Sequence, residues 1–165
     1  NYYAIIDPQK NFSGIQDFSA SKIIQLSQEL RQRINHKYPD HFIHPENTTI
    51  RDVSHILWTG TPIDPASSGR NAVFYGDKAI DRSPCGTGTS ARMAQLHARG
   101  LLQPQTDYVH ESIIGSKFIG RVETVITLGT FPAIIPSIKG WARIYGQNTL
   151  TIDTEDPYAL GFQVI

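Results

Sequence analysis

The chain has 165 residues, enough for one domain, and 39% of them are apolar, enough to build a core. Fifteen Lys and Arg balance fifteen Asp and Glu, which argues against a nucleic-acid or polyanion binder, since such surfaces carry a basic excess. No apolar run reaches the roughly 18 residues that cross a bilayer. The single cysteine excludes an internal disulfide and a multi-cysteine zinc site, so a reducing, cytoplasmic setting is expected. The first residue is Asn1 rather than an initiator methionine; the expectation is a chain cut or processed from something longer, with any upstream targeting segment unseen.

Asn1 to Asp7 is rich in Tyr and Ile and predicts a strand. Pro8 to Phe18 is expected as a loop. Ser19 or Ser21 is placed to cap a helix whose apolar face is Ile23, Ile24, Ser27, Leu30 and Ile34 and which ends before Pro39. His41 to Arg51 is read as a polar loop. Val53 to Thr59 predicts a strand, 61–70 a Pro-, Ser- and Gly-rich surface loop, Asn71 to Tyr75 a strand and Gly76-Asp77 a turn. Thr87 to Arg99 predicts a helix of mostly small side chains with Gly100 as its C′ stop. Small side chains suit a helix closely surrounded by backbone, as at the centre of a barrel-like sheet. Tyr108 to Ile114, Phe118 to Leu128, Ala133 to Ile138 and Trp141 to Leu150 all read as strands, punctuated by Gly115, Gly120, Gly129, Pro132, Pro136, Gly140 and Gly146. Two helices and about seven strands joined by short turns indicate an α+β domain.

Chemistry concentrates in Asp81-Arg82-Ser83-Pro84-Cys85-Gly86-Thr87-Gly88-Thr89. A strand and turn lead into this stretch and a helix leaves it, so Cys85 falls at or just before a helix N-terminus. The first amides of a helix lack internal partners and carry partial positive charge, which favours an ionised thiol. Gly86 and Gly88 leave room for an anion to approach those amides. The Walker lysine is missing, so a small carboxylate fits better than a nucleotide phosphate. Asp81, four residues before Cys85, supplies an acceptor for a cation. Carboxylate pocket, cation acceptor and thiol together describe a site for an α-amino acid. Each part also has a plainer reading: a lone cysteine as buried filler, a glycine-rich turn without ligand, Asp81 as a cap for its own turn.

Asp81 to Thr89, continued by Ser90 to Gly100, closely resembles the second catalytic motif of the proline racemase family, which includes 4-hydroxyproline 2-epimerases and trans-3-hydroxyproline dehydratases. Asn1 to Asp7, His44-Pro45-Glu46, Glu111 to Gly115 and Asp156 to Phe162 also match, so the resemblance covers the whole chain. It implies a diaminopimelate-epimerase-like fold with a barrel-like, mostly antiparallel sheet around a central helix. It implies one C-terminal catalytic domain over 1–165, whose last fifteen or so residues cross toward a missing N-terminal domain. It implies cofactor-independent two-base chemistry, in which one cysteine removes the α-proton and a second reprotonates the opposite face. Carried over, Cys85 resembles the second thiol, Gly86, Thr87 and Gly88 the carboxylate cradle, and Asp81 the acceptor of the ring nitrogen. Tyr75 stands where proline racemases have a Phe, and its phenol favours a hydroxylated ring. The implied activity is 4-hydroxyproline 2-epimerase, with proline racemase or a non-catalytic carboxylate- or partner-binding half-domain as alternatives. Dehydratases typically carry Thr in place of Cys85. The family's Cys-Gly-His motif is absent, so the chain resembles a half that is inactive alone. No cofactor and no metal are implied; expected partners are a proline-like small molecule, the other half and, as full-length enzyme, a second copy in a homodimer.

Other candidates read as structural. His36, His41, His44 and His55 cluster in sequence without a metal-binding spacing. His97, twelve residues after Cys85, lies about 18 Å along the helix axis, too far to serve as its base. Trp58 and Trp141 are expected in the core, Arg31 and Arg33 on a solvated face, and Glu111 in a structural role on a strand.

Overall fold

The computed structural model of the chain describes residues 1–162. Strand β1 (Tyr2–Ile6) is followed by a 3-10 turn at Ile15–Asp17 and helix α1 (Ala20–Lys37). Of the two candidate caps, Ser19 takes the role: its backbone is extended and its Oγ accepts the Lys22 N–H at 3.3 Å. The predicted apolar face packs inward, with Ile23 and Ser27 fully buried.

The segment read as a loop over 41–51 instead forms a small hairpin, β2 (Ile43–His44) and β3 (Asn47–Arg51). Side chains build its turn: Asn47 Oδ1 accepts from Thr49 N–H and Oγ–H, and His44 Nδ1 accepts from Glu46 N–H. A two-residue strand is too short to leave a period in the sequence. There follow β4 (Val53–Gly60), β5 (Gly69–Tyr75), the short β6 (Ala79–Ile80), helix α2 (Gly86–Ala98), β7 (Asp107–Ser112), β8 (Lys117–Leu128) and β9 (Phe131–Lys139). Gly100, at φ +71°, stops α2 as expected, with Leu101 N–H reaching back to Leu96 O at 2.8 Å.

One sheet runs β1-β4-β5-β7-β8-β9, with β6 sharing an edge of β5 with β7. β1 is parallel to β4 and β5 to β7; the other pairs are antiparallel. Parallel neighbours require a crossover: α1 lies in the first and α2 in the second. Side chains alternate along β4 and β5, so the helices cover opposite faces. Ile56, Trp58, Ala72 and Phe74 pack on the α1 side, whereas Val73 faces Gly88 of α2. The sheet curls about α2, which meets β8, β9 and also β1 at the other edge. This is a curled half-barrel in an α+β fold.

Further expectations fail. Trp141 to Leu150 forms no strand; it follows the edge strand β9 and lies open, with Trp141, Ile144, Tyr145 and Leu150 exposed. An extended segment needs a neighbour to complete its hydrogen bonds, so Trp141 is not in the core. Gly120, Pro132 and Pro136 do not separate strands but lie within β8 and β9. At Gly120 a side chain would meet Met93 Sδ at 2.6 Å, so glycine is what lets α2 approach β8. The prolines are tolerated because β9 is an edge strand.

Candidate functional site

Strand β5 carries the chain to the Tyr75 turn, β6 returns along it, and the loop from Asp81 to Pro84 delivers Cys85 to the N-terminus of α2. Asp81 N–H donates to Val73 O at 2.9 Å, anchoring the start of the loop on β5. The Asp81 carboxylate accepts from Ser83 N–H and Oγ–H, both at 2.9 Å, and Ser83 Oγ in turn accepts from Cys85 N–H at 3.0 Å. Cys85 is the N-cap of α2, as expected, but in an unusual conformation, φ 63° and ψ 119°. A non-glycine residue in that region stores roughly 1 to 3 kcal/mol of strain, held by its surroundings.

Those surroundings are buried and polar. Pro84 O accepts from Asn71 Nδ2 at 2.8 Å and from Thr89 Oγ1 at 3.3 Å. Thr89 Oγ1 lies 2.9 Å from His110 Nδ1 on β7. Asn71, Thr89 and His110 are fully buried. Burial, aided by the positive Arg92, pushes the His110 imidazole down to about 3, so it is neutral at physiological pH. Sequence reading assigned a role to none of the three: Thr89 closes the Asp81 to Thr89 motif without a stated function, and Asn71 and His110 are ordinary strand residues until the fold brings them behind the Cys85 loop.

In front of the loop the thiol is reachable. Cys85 is half-buried and Thr87 exposed. Sγ accepts from Gly88 N–H at 3.4 Å and lies 3.7 Å from Thr87 Oγ1. Gly88 is thus engaged with the sulfur, and a Cβ there would stand 3.2 Å from both Cys85 Cβ and Val73 Cγ2. The amides of Gly86 and Thr87 sit in the first helical turn, where no preceding carbonyl reaches them, and a Cβ on Gly86 would meet nothing within 4 Å. Tyr75 shares the face of Val73 by strand alternation but is 44% exposed. A further residue, Tyr3 of β1, reaches the loop from 82 positions away, with its hydroxyl 3.4 Å from Sγ and 2.6 Å from Thr87 Oγ1. Its ring lies tilted against His55, with centroids 4.8 Å apart. A hollow of about 500 Å³ opens beside them between β1 and β9, over Ser90 and Ala91 of α2.

The remaining candidates are structural. Glu111 is 1% exposed and accepts from Ile63 N–H and Asp64 N–H at 3.1 and 3.0 Å, with Arg70 at 3.6 Å. Burial disfavours its charge, but these donors prevail and hold the carboxyl below its ordinary value. Asp7, just past β1, pairs with Arg92 at 2.7 Å and Arg99 at 3.0 Å, pinning the far end of α2. His97 Nδ1 lies against Leu102 O at 3.0 Å. Among the described residues no three His, Cys, Asp or Glu side chains converge as a metal site, and no helix is long and apolar enough to cross a membrane.

The family model described as proline racemase matches residues 1–163. The chain is 61% identical over all 165 residues to a protein named 4-hydroxyproline 2-epimerase from Spirosoma linguale, and 57% identical over the same length to one of that name from Shewanella loihica. It is 59% identical over 164 residues to a 4-hydroxyproline epimerase from Brucella ovis. It covers 99 to 100% of itself and 49% of each, so it spans about half the length of the curated relatives it matches. Two crystal structures align over 98% of this chain and 46% of theirs, each with a TM-score of 0.75. One is a probable proline racemase from Agrobacterium radiobacter with bound carbonate, 32% identical; the other is a hydroxyproline epimerase from Agrobacterium vitis with bound trans-4-hydroxy-L-proline, 29% identical. By whole-chain match and by fold, the chain belongs to the proline racemase family.

Proposed function

We propose that the chain is the C-terminal half of a cofactor-independent 4-hydroxyproline 2-epimerase and carries one of its two thiols. The observation that carries this reading is the 57 to 61% identity, along the entire chain, to proteins named for that activity. The geometry of the Cys85 loop is compatible with it.

In this reading the substrate carboxylate lies against the amides of Gly86 and Thr87 at the positive end of α2. Those donors stabilise the charge that builds at the carboxylate as the α-proton leaves. Gly88 borders the cradle and steadies the sulfur. Asp81 receives the ring nitrogen, and Tyr75 hydrogen-bonds the ring hydroxyl. In one direction Cys85 Sγ takes the proton from C2; the C–H electron pair stays on the carbanion, and a thiol on the opposite side gives up its proton to the other face. The reverse direction exchanges the two roles. One base does not reach both faces of a carbon, so two groups are required. Cys85 is the one thiol in the sequence, so its partner belongs to the other half, and the isolated chain does not complete inversion.

The exposed apolar side chains of β9 and the tail, among them Phe131, Ile135, Trp141, Ile144 and Leu150, are the surface that other half covers. The tail from 151 onward crosses toward it; residues 163–165 of that segment lie outside the described residues. The full-length enzyme is a cytoplasmic homodimer. Joining this chain to its other half should give interconversion of trans-4-hydroxy-L-proline and its C2 epimer, and Cys85→Ser should abolish it. Retained interconversion in that variant refutes the mechanism. Faster turnover of unsubstituted proline would instead make the enzyme a proline racemase, and carboxylate binding without turnover would make the chain a binding half-domain.

A further inference from the structure

We infer that Tyr3 is a further catalytic residue of this site: its phenol donates a hydrogen bond to the Cys85 sulfur whenever that sulfur is ionised and turns to Thr87 when it is protonated. The inference rests on the reading of Cys85 as an acid/base thiol. It adds a residue that lies outside the Cys85 loop and belongs to a different strand.

The geometry is a triangle. Tyr3 Oη is 2.6 Å from Thr87 Oγ1 and 3.4 Å from Cys85 Sγ, and Thr87 Oγ1 is 3.7 Å from Sγ. Each corner carries one hydrogen when the thiol is neutral, so the three hydrogens can circulate among three acceptors. A thiolate has no hydrogen and accepts only. The phenol O–H and the threonine O–H then both have reason to rotate toward sulfur, joining Gly88 N–H, which already points there at 3.4 Å. Hydrogen bonds to an ionised group are about twice as strong as neutral ones. The triangle therefore favours the thiolate without holding a fixed charge of its own.

The phenol is held in place. β1 pairs with β4 in the register Tyr3 to His55, and the two rings lie in tilted contact, centroids 4.8 Å apart with an interplanar angle of 31°. It also remains a donor. Burial, the hydrogen bond with Cys85 and the negative Asp81 raise Tyr3 above the ordinary phenol value, while Thr87 acts the other way. Tyr3 thus keeps its proton over the range in which a thiol titrates. The other titratable groups facing this pair are Asp81 from the loop, His55 from β4, and His44 from β2 and the Asn1 amine, which line the same hollow as Tyr3 and Thr87. Burial, with the N-terminal amine and Arg31, holds His55 below the ordinary imidazole value, so it adds no positive charge in that range.

The chain contains a single cysteine, so alkylation by a neutral reagent such as iodoacetamide reads Cys85 alone and needs neither substrate nor turnover. Tyr3→Phe keeps the ring and its contact with His55 and removes only the hydroxyl. At neutral pH the variant's alkylation should slow by roughly threefold, the loss of a donor to the ionised sulfur being partly offset by that sulfur's greater nucleophilicity. Once both proteins are fully ionised the order should reverse, so the two pH–rate curves cross. Curves that coincide, or that stay parallel at all pH values as a change of access would make them, overturn the inference. If Tyr3→Phe does not fold, 3-fluorotyrosine incorporated at position 3, a stronger donor of the same shape, should speed alkylation at neutral pH; no change or a slower rate overturns it. A crossing without epimerase activity in the joined enzyme would refute the proposed function and leave the role of Tyr3 toward the thiol standing.

Discussion

The two faces of the sheet are built on different principles. Between α1 and the sheet lies an apolar layer of Ile23, Ile56, Trp58, Ala72 and Phe74. Its buried polar groups are self-contained: Ser27 Oγ donates to Ile23 O at 2.6 Å and accepts from Trp58 Nε1 at 2.8 Å. On the α2 side, Met93, Val122 and Tyr108 pack together, but next to them Asn71, Thr89 and His110 are buried around the carbonyl of Pro84. Burial of apolar area stabilises in proportion to its extent and without direction. A buried hydrogen bond contributes little net stability, about 0.5 to 1.5 kcal/mol, but fixes a geometry. The α1 face therefore holds the fold, and the α2 face holds Cys85 at a backbone conformation it would not choose.

This contrast is sharpened first by Phe74→Ala, which should cost about 3 to 5 kcal/mol in denaturant unfolding. The alkylation rate of Cys85 in the still-folded protein should stay unchanged. A large change in that rate would show that the two faces are not separable.

The next effect belongs to His110. Its folded-state value is depressed from 6.5 to about 3, so the unfolded chain binds a proton that the folded chain refuses. Stability is then complete above about pH 6.5 and falls with decreasing pH, by roughly 2 kcal/mol at pH 5. In His110→Gln that loss should disappear, as unfolding measured at pH 7 and pH 5 will show. The depressed carboxyls Asp7 and Glu111 act in the same sense but only below the ordinary carboxyl range, near 3.8 and 4.5. The depressed His55 is common to parent and variant, so its contribution cancels. An equal pH loss in both proteins would break the assignment.

Asn71→Ala is the smallest in stability, about 1 kcal/mol, because Pro84 O keeps its bond from Thr89. Its effect should appear in the pH–rate profile of Cys85 alkylation. A variant destabilised by that amount with an unaltered thiol would mean that the loop does not depend on the network behind it.

What could be read in advance was whatever is local. The caps and faces of both helices, the Gly100 stop and the Cys85 position follow from spacing within one or two turns. The motif from Asp81 to Thr89 is contiguous, so its resemblance to a known family was visible in the sequence alone. The 41–51 hairpin left no pattern because its strands are two and five residues long. Trp141 to Leu150 misled because alternation reports a half-covered face but not what covers it. Gly120 and the two prolines were read as breaks, whereas one makes room for Met93 and the others lie on a free edge. Tyr3, Asn71 and His110, and the role of Thr89 toward them, were missed for a common reason. Tyr3 stands 82 residues from Cys85, and His110 stands 21 from Thr89, so only the topology of the sheet brings them together.

In the proposed two-base mechanism Cys85 serves one face of the substrate and a second thiol serves the other. This mechanism is tested most directly by following deuterium from solvent into C2 of each 4-hydroxyproline epimer, with the joined two-half enzyme and its Cys85→Ser variant. The parent should show exchange and inversion from both epimers, and the variant no inversion, with exchange confined to at most one epimer. Inversion of both epimers with C2 deuteration in the variant would contradict the mechanism.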